Sequence, residues 1–369
     1  MVILIINWQD WKNPYAGGAE VYLYEIFSRL IKKGHKVILL CSRGPGQSRY
    51  EILDGFEIFR IGKRFNFNFY VPFALKAILR ERNVDVIIDD QNKIPFYSPL
   101  FTKKNNLIMI MHLFRSSIYR ETNFLFASYV YLTESLIPYL YPHSHFIAIS
   151  QSTADDLKRM GVKRRISVVY CGVPLIKKNE NAKRDKELVL YVGRIKRYKS
   201  IDHLILAINR LRKNEIPVKL SIVGDGDALP GLKKMAEDLK LSIDFRGFVS
   251  EEEKYRIYRS ARILVQPSIK EGWGLTSIES QACGTPVICA DSPGLRETII
   301  DGKTGYLYPY GNIDLLVRRI SELLTNDVKW QEFSKTAEEW AKNFSWDKSA
   351  EKMEEILLEE IRGKKVNYA

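Results

Sequence analysis

The chain is poor in the features that usually settle a function quickly. Four cysteines (Cys41, Cys171, Cys283 and Cys289) in 369 residues stand without CxxC pairs or histidine partners. That excludes a disulfide framework and a zinc site of ordinary spacing. Each lies in or beside an apolar stretch, as buried free thiols do, so a reducing, cytoplasmic compartment is expected. Long hydrophobic runs are also missing. The most apolar segment, FLFASYVYLTESLIPYLY (124–141), carries Glu134 and Pro138 and is short for a membrane span. On pattern alone it is better read as a buried helix. The opening MVILIINW lacks the basic leader, longer apolar run and small-residue cleavage site of a signal peptide, and reads as a first strand. There is no GxSxG elbow, no evident Ser-His-Asp set, no GxGxxG and no P-loop.

What is present is length enough for two domains and a composition, 46% hydrophobic and 12% aromatic, that can fill two cores. The net charge is +13. Residues 1–176 hold 23 Lys and Arg against 14 Asp and Glu, and the remainder 34 against 30, so the excess lies mostly in the first half. Such a surface favours an anionic partner: nucleic acid, a phospholipid surface or a phosphorylated substrate. A solubility role for the charge explains it equally well. Nucleic acid is the least favoured, because the bases are scattered and no helix-turn-helix, zinc or RNP-like motif accompanies them.

Continuous apolar runs recur along the chain: 2–7, 36–42, 84–89, 106–112, 145–150 and 166–172, then 188–193, 219–226, 243–247, 262–268, 285–291 and 305–309. Continuous rather than alternating apolarity marks parallel strands buried on both faces. Helical segments such as AEVYLYEIFSRLIKKG (19–34) and STADDLKRMG (152–161) separate them, each ending on a glycine. The pattern predicts an α/β chain of two doubly wound, Rossmann-like parallel-sheet domains facing a central cleft. The expected parts are an N-terminal domain at 1–174, a polar linker at 175–187, a second domain at 188–344, and a C-terminal helix at 345–369 packing back across the lobes.

Three stretches carry chemistry in this frame. In QPSIKEGWGLTSIESQACGTPVICAD (266–291) a strand leads into a Gly272-x-Gly274 turn and then a helix from Leu275 or Thr276. The glycines are expected to permit unusual backbone angles and close ligand approach, and the helix N-terminus to offer N–H groups to phosphate or sugar. Glu271 precedes the helix and Glu279 lies about one turn inside it. On this stretch alone, a capping or surface-paired Glu279 stands level with a ligand-binding one. In LYVGRIKRYKSIDHL (190–204), Gly193 ends a strand and Arg194, Lys196, Arg197 and Lys199 follow, a set suited to a diphosphate. In NWQDWKNPYAGGAE (7–20), Gly17 and Gly18 precede a helix, a weak phosphate-cradle pattern, and His112 ends the strand LIMIMH. Asp225 and Asp227 in VGDGD form a DxD, but after a buried strand they read as a glycine-rich turn rather than a metal site.

Together these segments resemble a retaining glycosyltransferase of GT-B fold in the large family four. The resemblance runs through GGAE, MHLF, AISQSTADDL, YCGVP, YVGRIKRYK, IVGDGD and FRGFVSEEE, and is most specific in the E-x7-E of Glu271 and Glu279. Trp273 stands where members often have Phe. The resemblance implies a nucleotide-diphosphate-sugar donor and a saccharide, polyprenyl- or lipid-linked acceptor. It implies that Arg194 and Lys199 bind the diphosphate, with Gly18 approaching it. Glu271 would hold sugar hydroxyls, and Gly272, Trp273, Gly274 and Leu275 would supply backbone N–H groups. Glu279 would hold the ribose, Phe248 and Val249 would border the base, and His112 would touch the sugar. No metal and no other cofactor are expected. A peripheral contact with anionic membrane, on its cytoplasmic face, would fit the basic first half. A GT-B-type sugar-nucleotide epimerase is the rival enzyme.

Overall fold

The computed structural model describes residues 1–91, 94–174 and 184–366 and divides into two compact units, Met1–Gly172 with Trp346–Ala369, and Val173–Ser345. Residues 175–183 of the expected linker lie outside the described residues. Its end is part of the second unit, where the Arg184 guanidinium donates to the Ala261 carbonyl at 3.0 Å and the Thr285 hydroxyl at 2.6 Å.

The first unit is an eight-stranded sheet: β1 (Val2–Ile6), β2 (Lys36–Ser42), β3 (Tyr50–Leu53), β4 (Phe56–Ile61), β5 (Val86–Gln91), β6 (Asn106–Ile110), β7 (His145–Ala148) and β8 (Ile166–Val168). Their order is β3-β4-β2-β1-β5-β6-β7-β8, and every pairing is parallel except β3 with β4. Strands β5, β6 and β7 are buried at every residue, their apolar runs as expected and with them the polar Asp89, Asp90, Gln91, Asn106 and His145 at the strand ends. The β3–β4 hairpin was not among the expected strands. Its β3 alternates exposed and half-buried positions and its β4 buried and half-buried ones, and it turns on Asp54 (φ 52°) and Gly55 (φ 85°), a pairing suited to a tight two-residue turn.

Helices α1 (Gly18–Lys32), α2 (Phe67–Glu81), α3 (Phe124–Ser135), α4 (Ile137–Leu140) and α5 (Gln151–Arg159) connect these strands. Ser150 caps α5 by accepting from the Thr153 N–H at 3.0 Å. The C-terminal helix, Trp346–Val366, packs on α1 within this unit. It buries Met353, Ile356 and Leu357, while Glu354 meets Lys33 at 2.6 Å and His35 at 2.7 Å. Among the described residues no helix is long and apolar enough to cross a membrane.

The second unit repeats the plan with six parallel strands: β9 (Leu188–Val192), β10 (Lys219–Val223), β11 (Ile243–Gly247), β12 (Ile263–Gln266), β13 (Val287–Ala290) and β14 (Gly305–Tyr308). Their order is β11-β10-β9-β12-β13-β14. The helices are α6 (Ile201–Lys213), α7 (Leu229–Asp238), α8 (Glu251–Ser260), α9 (Leu275–Ala282), α10 (Ile313–Thr325) and α11 (Asp327–Ala341). The chain leaves β9 toward β10 on one side, and β12 occupies the other. The crevice beyond the carboxyl ends of β9 and β12 is therefore the switch point at which such sheets take ligands. The corresponding point in the first sheet lies beyond β1 and β5.

Candidate active site in the second unit

Two sequence stretches singled out for their chemistry emerge at this switch point. Gly193 to Lys199 follow β9, and Glu271 to Gly274 follow β12. Hydrogen bonds tie the two loops together. The Ile269 N–H donates to the Tyr198 carbonyl at 3.0 Å, and the Gln266 amide bridges the Val192 carbonyl (2.8 Å) to the Thr276 hydroxyl (2.9 Å). At their junction the Lys199 ammonium meets Glu271 Oε1 at 2.5 Å, with the side chains 12% and 13% exposed. Burial pulls Lys199 down, but the Glu271 carboxylate and Tyr198 outweigh it and hold the ammonium above its ordinary value. The Tyr198 ring also lies 4.9 Å from the ammonium. A charged pair that is nearly dry, yet still reaches solvent, is suited to exchanging partners with a ligand's phosphate and hydroxyls.

Around this pair the loops pack backbone on backbone. Gly224, at φ 132°, lies so close that a Cβ would stand 2.0 Å from the Gly193 carbonyl oxygen, and one at Gly226 would stand 2.1 Å from that of Ile195. The VGDGD stretch is thus a turn wedged under the β9 loop. Asp225 Oδ1 accepts from the Gly226 N–H at 2.7 Å, and Asp227 is engaged by Lys196 at 2.6 Å. Arg194 is exposed beside them, and its carbonyl is held by the Tyr191 hydroxyl at 3.1 Å. Gly193 itself needs its freedom, with φ at 151°.

The β12–α9 turn departs from expectation in its details. Gly274 has φ −81°, an angle open to any residue; it is needed for space, because a Cβ would come within 2.9 Å of Leu295 and 3.1 Å of Thr298. The strained glycine is Gly294, at φ 82°, where a Cβ would stand 2.3 Å from the Glu271 carbonyl oxygen. Close packing of the SPGL segment (292–295) on Glu271 is what holds the acid in place, aided by the Glu271 N–H donating to the Pro293 carbonyl at 3.0 Å. The Leu275 N–H, expected to face a ligand, donates to the Trp273 carbonyl at 3.0 Å. The Trp273 ring is buried against Phe344 at 5.3 Å. Gly272 stays half-buried at the open side of the turn.

Glu279 is neither a cap nor a surface pair. It lies buried in α9, one turn from its start, and α8 supplies its partners: Lys254 Nζ at 3.0 Å, the Tyr258 hydroxyl at 3.0 Å and the Tyr255 hydroxyl at 3.4 Å. Burial raises its pKa against the pull of Lys254. These partners were missed in the sequence, although Lys254 and Tyr258 at i and i+4 on EEEKYRIYRS mark one helix face. Phe248, just before α8, is 91% exposed, while Val249 packs into the core beneath.

The remaining residues, Gly17, Gly18 and His112, belong to the first compact unit. Gly17 is the N-cap of α1, and its N–H, expected to face a phosphate, donates to the Glu20 carboxylate at 2.7 Å. Gly18 begins the helix exposed, with no atom within 4 Å of a Cβ built on it. His112 lies two residues past β6, half-buried, edge-on to Phe114 at 4.7 Å. Its turn is clamped from α3, because the buried Glu134 carboxylate accepts the N–H groups of Phe114 (2.8 Å) and Arg115 (2.7 Å). Glu134 was read in the sequence only as an interruption of an apolar run.

Comparison with known proteins agrees with this geometry. Residues 173–343 match the family described as glycosyl transferases group 1, and residues 16–177 match Glycosyltransferase Family 4. An alpha-monoglucosyldiacylglycerol synthase of Streptococcus pneumoniae is 27% identical over 337 residues, covering 83% of this chain and 75% of that protein. A D-inositol 3-phosphate glycosyltransferase of Streptomyces bingchenggensis is 35% identical over 190 residues, covering 48% of this chain but 42% of its own length. The aligned part thus spans less than half of that relative. In fold, the chain is similar to a sucrose-phosphate synthase from Thermosynechococcus elongatus, with TM-score 0.83, 22% identity and coverage of 96% and 98%. It is also similar to the Anabaena protein HepE solved with UDP-glucose, with TM-score 0.76, 18% identity and coverage of 97% and 99%.

Proposed function

The chain belongs to the group 1 glycosyltransferases of GT-B fold, and on that premise we propose that it moves a hexose-type sugar from a nucleoside-diphosphate sugar to an acceptor hydroxyl with retention of anomeric configuration. The observation that carries this reading is the Lys199–Glu271 pair at the β9–β12 switch point, with Arg194 exposed alongside. Lys199 and Arg194 would take the diphosphate, and Glu271, released from its lysine, would accept the donor sugar's hydroxyls. Glu279 would accept ribose hydroxyls one helical turn away, and Phe248 would offer its open ring to the base. The roles of Gly17, Gly18 and His112 rest on the family resemblance.

Breaking the anomeric C–O bond leaves negative charge on the departing diphosphate. Fixed cations stabilise that charge without reorganising, which is the main electrostatic source of rate in such sites. The sugar passes through an oxocarbenium-like state, and the departing phosphate oxygen takes the acceptor's proton during attack on the same face. Because Lys199 and Arg194 supply the positive charge, no metal is needed, and Asp227 is already bound to Lys196. The named relatives support a saccharide- or lipid-type acceptor.

A thermal-shift screen of UDP-, GDP- and ADP-sugars tests the donor. One nucleotide class raises the melting temperature, by about 2.7 kcal/mol of stabilisation at a hundredfold excess over the dissociation constant. Failure of all three to shift it would remove the reading.

A further inference from the structure

Helix α3 is inverted relative to an ordinary surface helix. Leu125, Tyr129, Leu132 and Leu136, spaced i, i+4, i+7 and i+11, form its outward stripe, and Leu125 is 81% exposed. Ala127, Val130 and Glu134 are turned inward and buried. Glu134 is the only charged residue between 122 and 141, and it is spent on the Phe114 and Arg115 N–H groups. The solvent side of α3 therefore carries no charge at all, where an amphipathic surface helix would put its charges. The expectation of a buried helix over 124–141 fails here: the segment breaks between α3 and α4 and shows apolar side chains to water.

A second apolar stripe lies on α2. Phe69 and Phe73 are exposed, the latter at 76%, and the same stripe continues into exposed Lys76 and Arg80. Lys63, Arg64 and Phe65 are exposed just before the helix. Residues 63–80 hold four bases and no acid. Helix α2 and helix α4, which directly follows α3, cover the same face of the first sheet. The core under α2 includes Ile87, and the core beneath α4 includes Ile108; Asp89, two residues on from Ile87 and so on its face, pairs in register with Ile108. Ile94 packs against both the α2 cluster and the cluster under α3.

We infer that this face of the first unit docks on an anionic bilayer, with the α3 and α2 aromatic and leucine side chains entering the headgroup boundary and the bases of 63–80 meeting lipid phosphates. Uncharged apolar helix faces flanked by grouped bases fit an interface that is apolar below and anionic above. Grouped bases without acids would leave a second copy of the same face repelled. The inference does not depend on the sugar-transfer reading, since docking needs no donor.

Vesicle flotation tests it. The full chain floats with phosphatidylglycerol-containing vesicles at low salt and about tenfold less with pure phosphatidylcholine. Lys63→Ala with Lys76→Ala weakens flotation on the anionic vesicles by on the order of tenfold. Leu125→Glu with Leu132→Glu abolishes it while the melting temperature stays within a few degrees. No flotation at low salt, or unchanged flotation of both double variants, would overturn the inference. So would a dimer in light scattering that the Leu→Glu variant dissolves, since a second copy would then cover the face.

Discussion

The two sheets share one plan, with β1, β2 and β5 answering to β9, β10 and β12, but their switch points are equipped with different polar groups. In the first unit the loop after β1 presents an acid: Asp10 is fully buried and held by Arg60 at 2.7 Å, with Gln47 at 3.1 Å. The carboxyl end of β5 itself carries two more acids. Asp89 accepts from Tyr141, Ser98 and Phe96, and both carboxylate oxygens of Asp90 lie buried without a hydrogen-bond partner among the described residues. In the second unit the loop after β9 is basic, and the acids that follow β12 each meet a lysine, Glu271 with Lys199 and Glu279 with Lys254. One fold thus gives two different electrostatic floors. The acids of the second are neutralised by lysines that still reach solvent, whereas the Asp10–Arg60 pair of the first is wholly buried.

The largest expected effect comes from removing the cation that defines the second floor. Lys199→Ala lowers kcat/KM by about a hundredfold to a thousandfold, the scale for one transition-state donor, while circular dichroism shows the fold intact. A variant with full activity would dissolve the contrast between the units. Glu279→Gln keeps the shape but loses the charge that accepts from Lys254 and, on the proposed reading, from the donor's ribose, and donor affinity in calorimetry is expected to drop about tenfold. An unchanged affinity would return Glu279 to a structural role.

The first floor gives a smaller effect, in stability rather than activity. Burial, then the Glu20 and Asp89 charges, hold Asp90 well above the ordinary carboxylate value. The folded protein keeps a proton there that the unfolded chain releases above about pH 4. Stability from the protonated form is therefore complete below that pH and is lost as pH rises toward the folded pKa. Asp90→Asn should flatten this fall, and melting temperatures of both proteins between pH 4 and 8 check it; parallel curves would contradict it. The smallest expected effect is that of a chelator. Activity persists in EDTA, because Lys199 and Arg194 hold the charge, and a loss restored by magnesium would reopen Asp225 and Asp227 as ligands.

The sequence made the second floor more legible than the first. Most of the parallel strands announce themselves as continuous apolar runs because they are covered on both faces, whereas β11 (IDFRG), at the sheet edge, alternates exposed and half-buried residues. The β3–β4 hairpin escaped because one of its faces is wet and its apolar residues alternate. Arg194, Lys199 and Glu271 could be placed at the switch point from sequence because they follow strand ends closely, and Glu279 because it lies one turn into the next helix. Lys254 and Tyr258, which hold Glu279, lie on a different helix, and only the packing of α8 on α9 brings them over. The role of Gly294 was hidden for a similar reason: its φ and its contact with the Glu271 carbonyl exist only once the two loops are stacked. The exposure of α3 could not be read at all, because an apolar helix has the same sequence whether its open face meets protein, lipid or water.

The most direct test is a calorimetric titration of the chain and of Lys199→Ala with the nucleoside-diphosphate sugar that gives the largest thermal shift. Binding to the unmodified chain with at least tenfold weakening in the variant is the result expected from a diphosphate held at the β9–β12 switch point. Equal affinity in both proteins would place the donor elsewhere and contradict it.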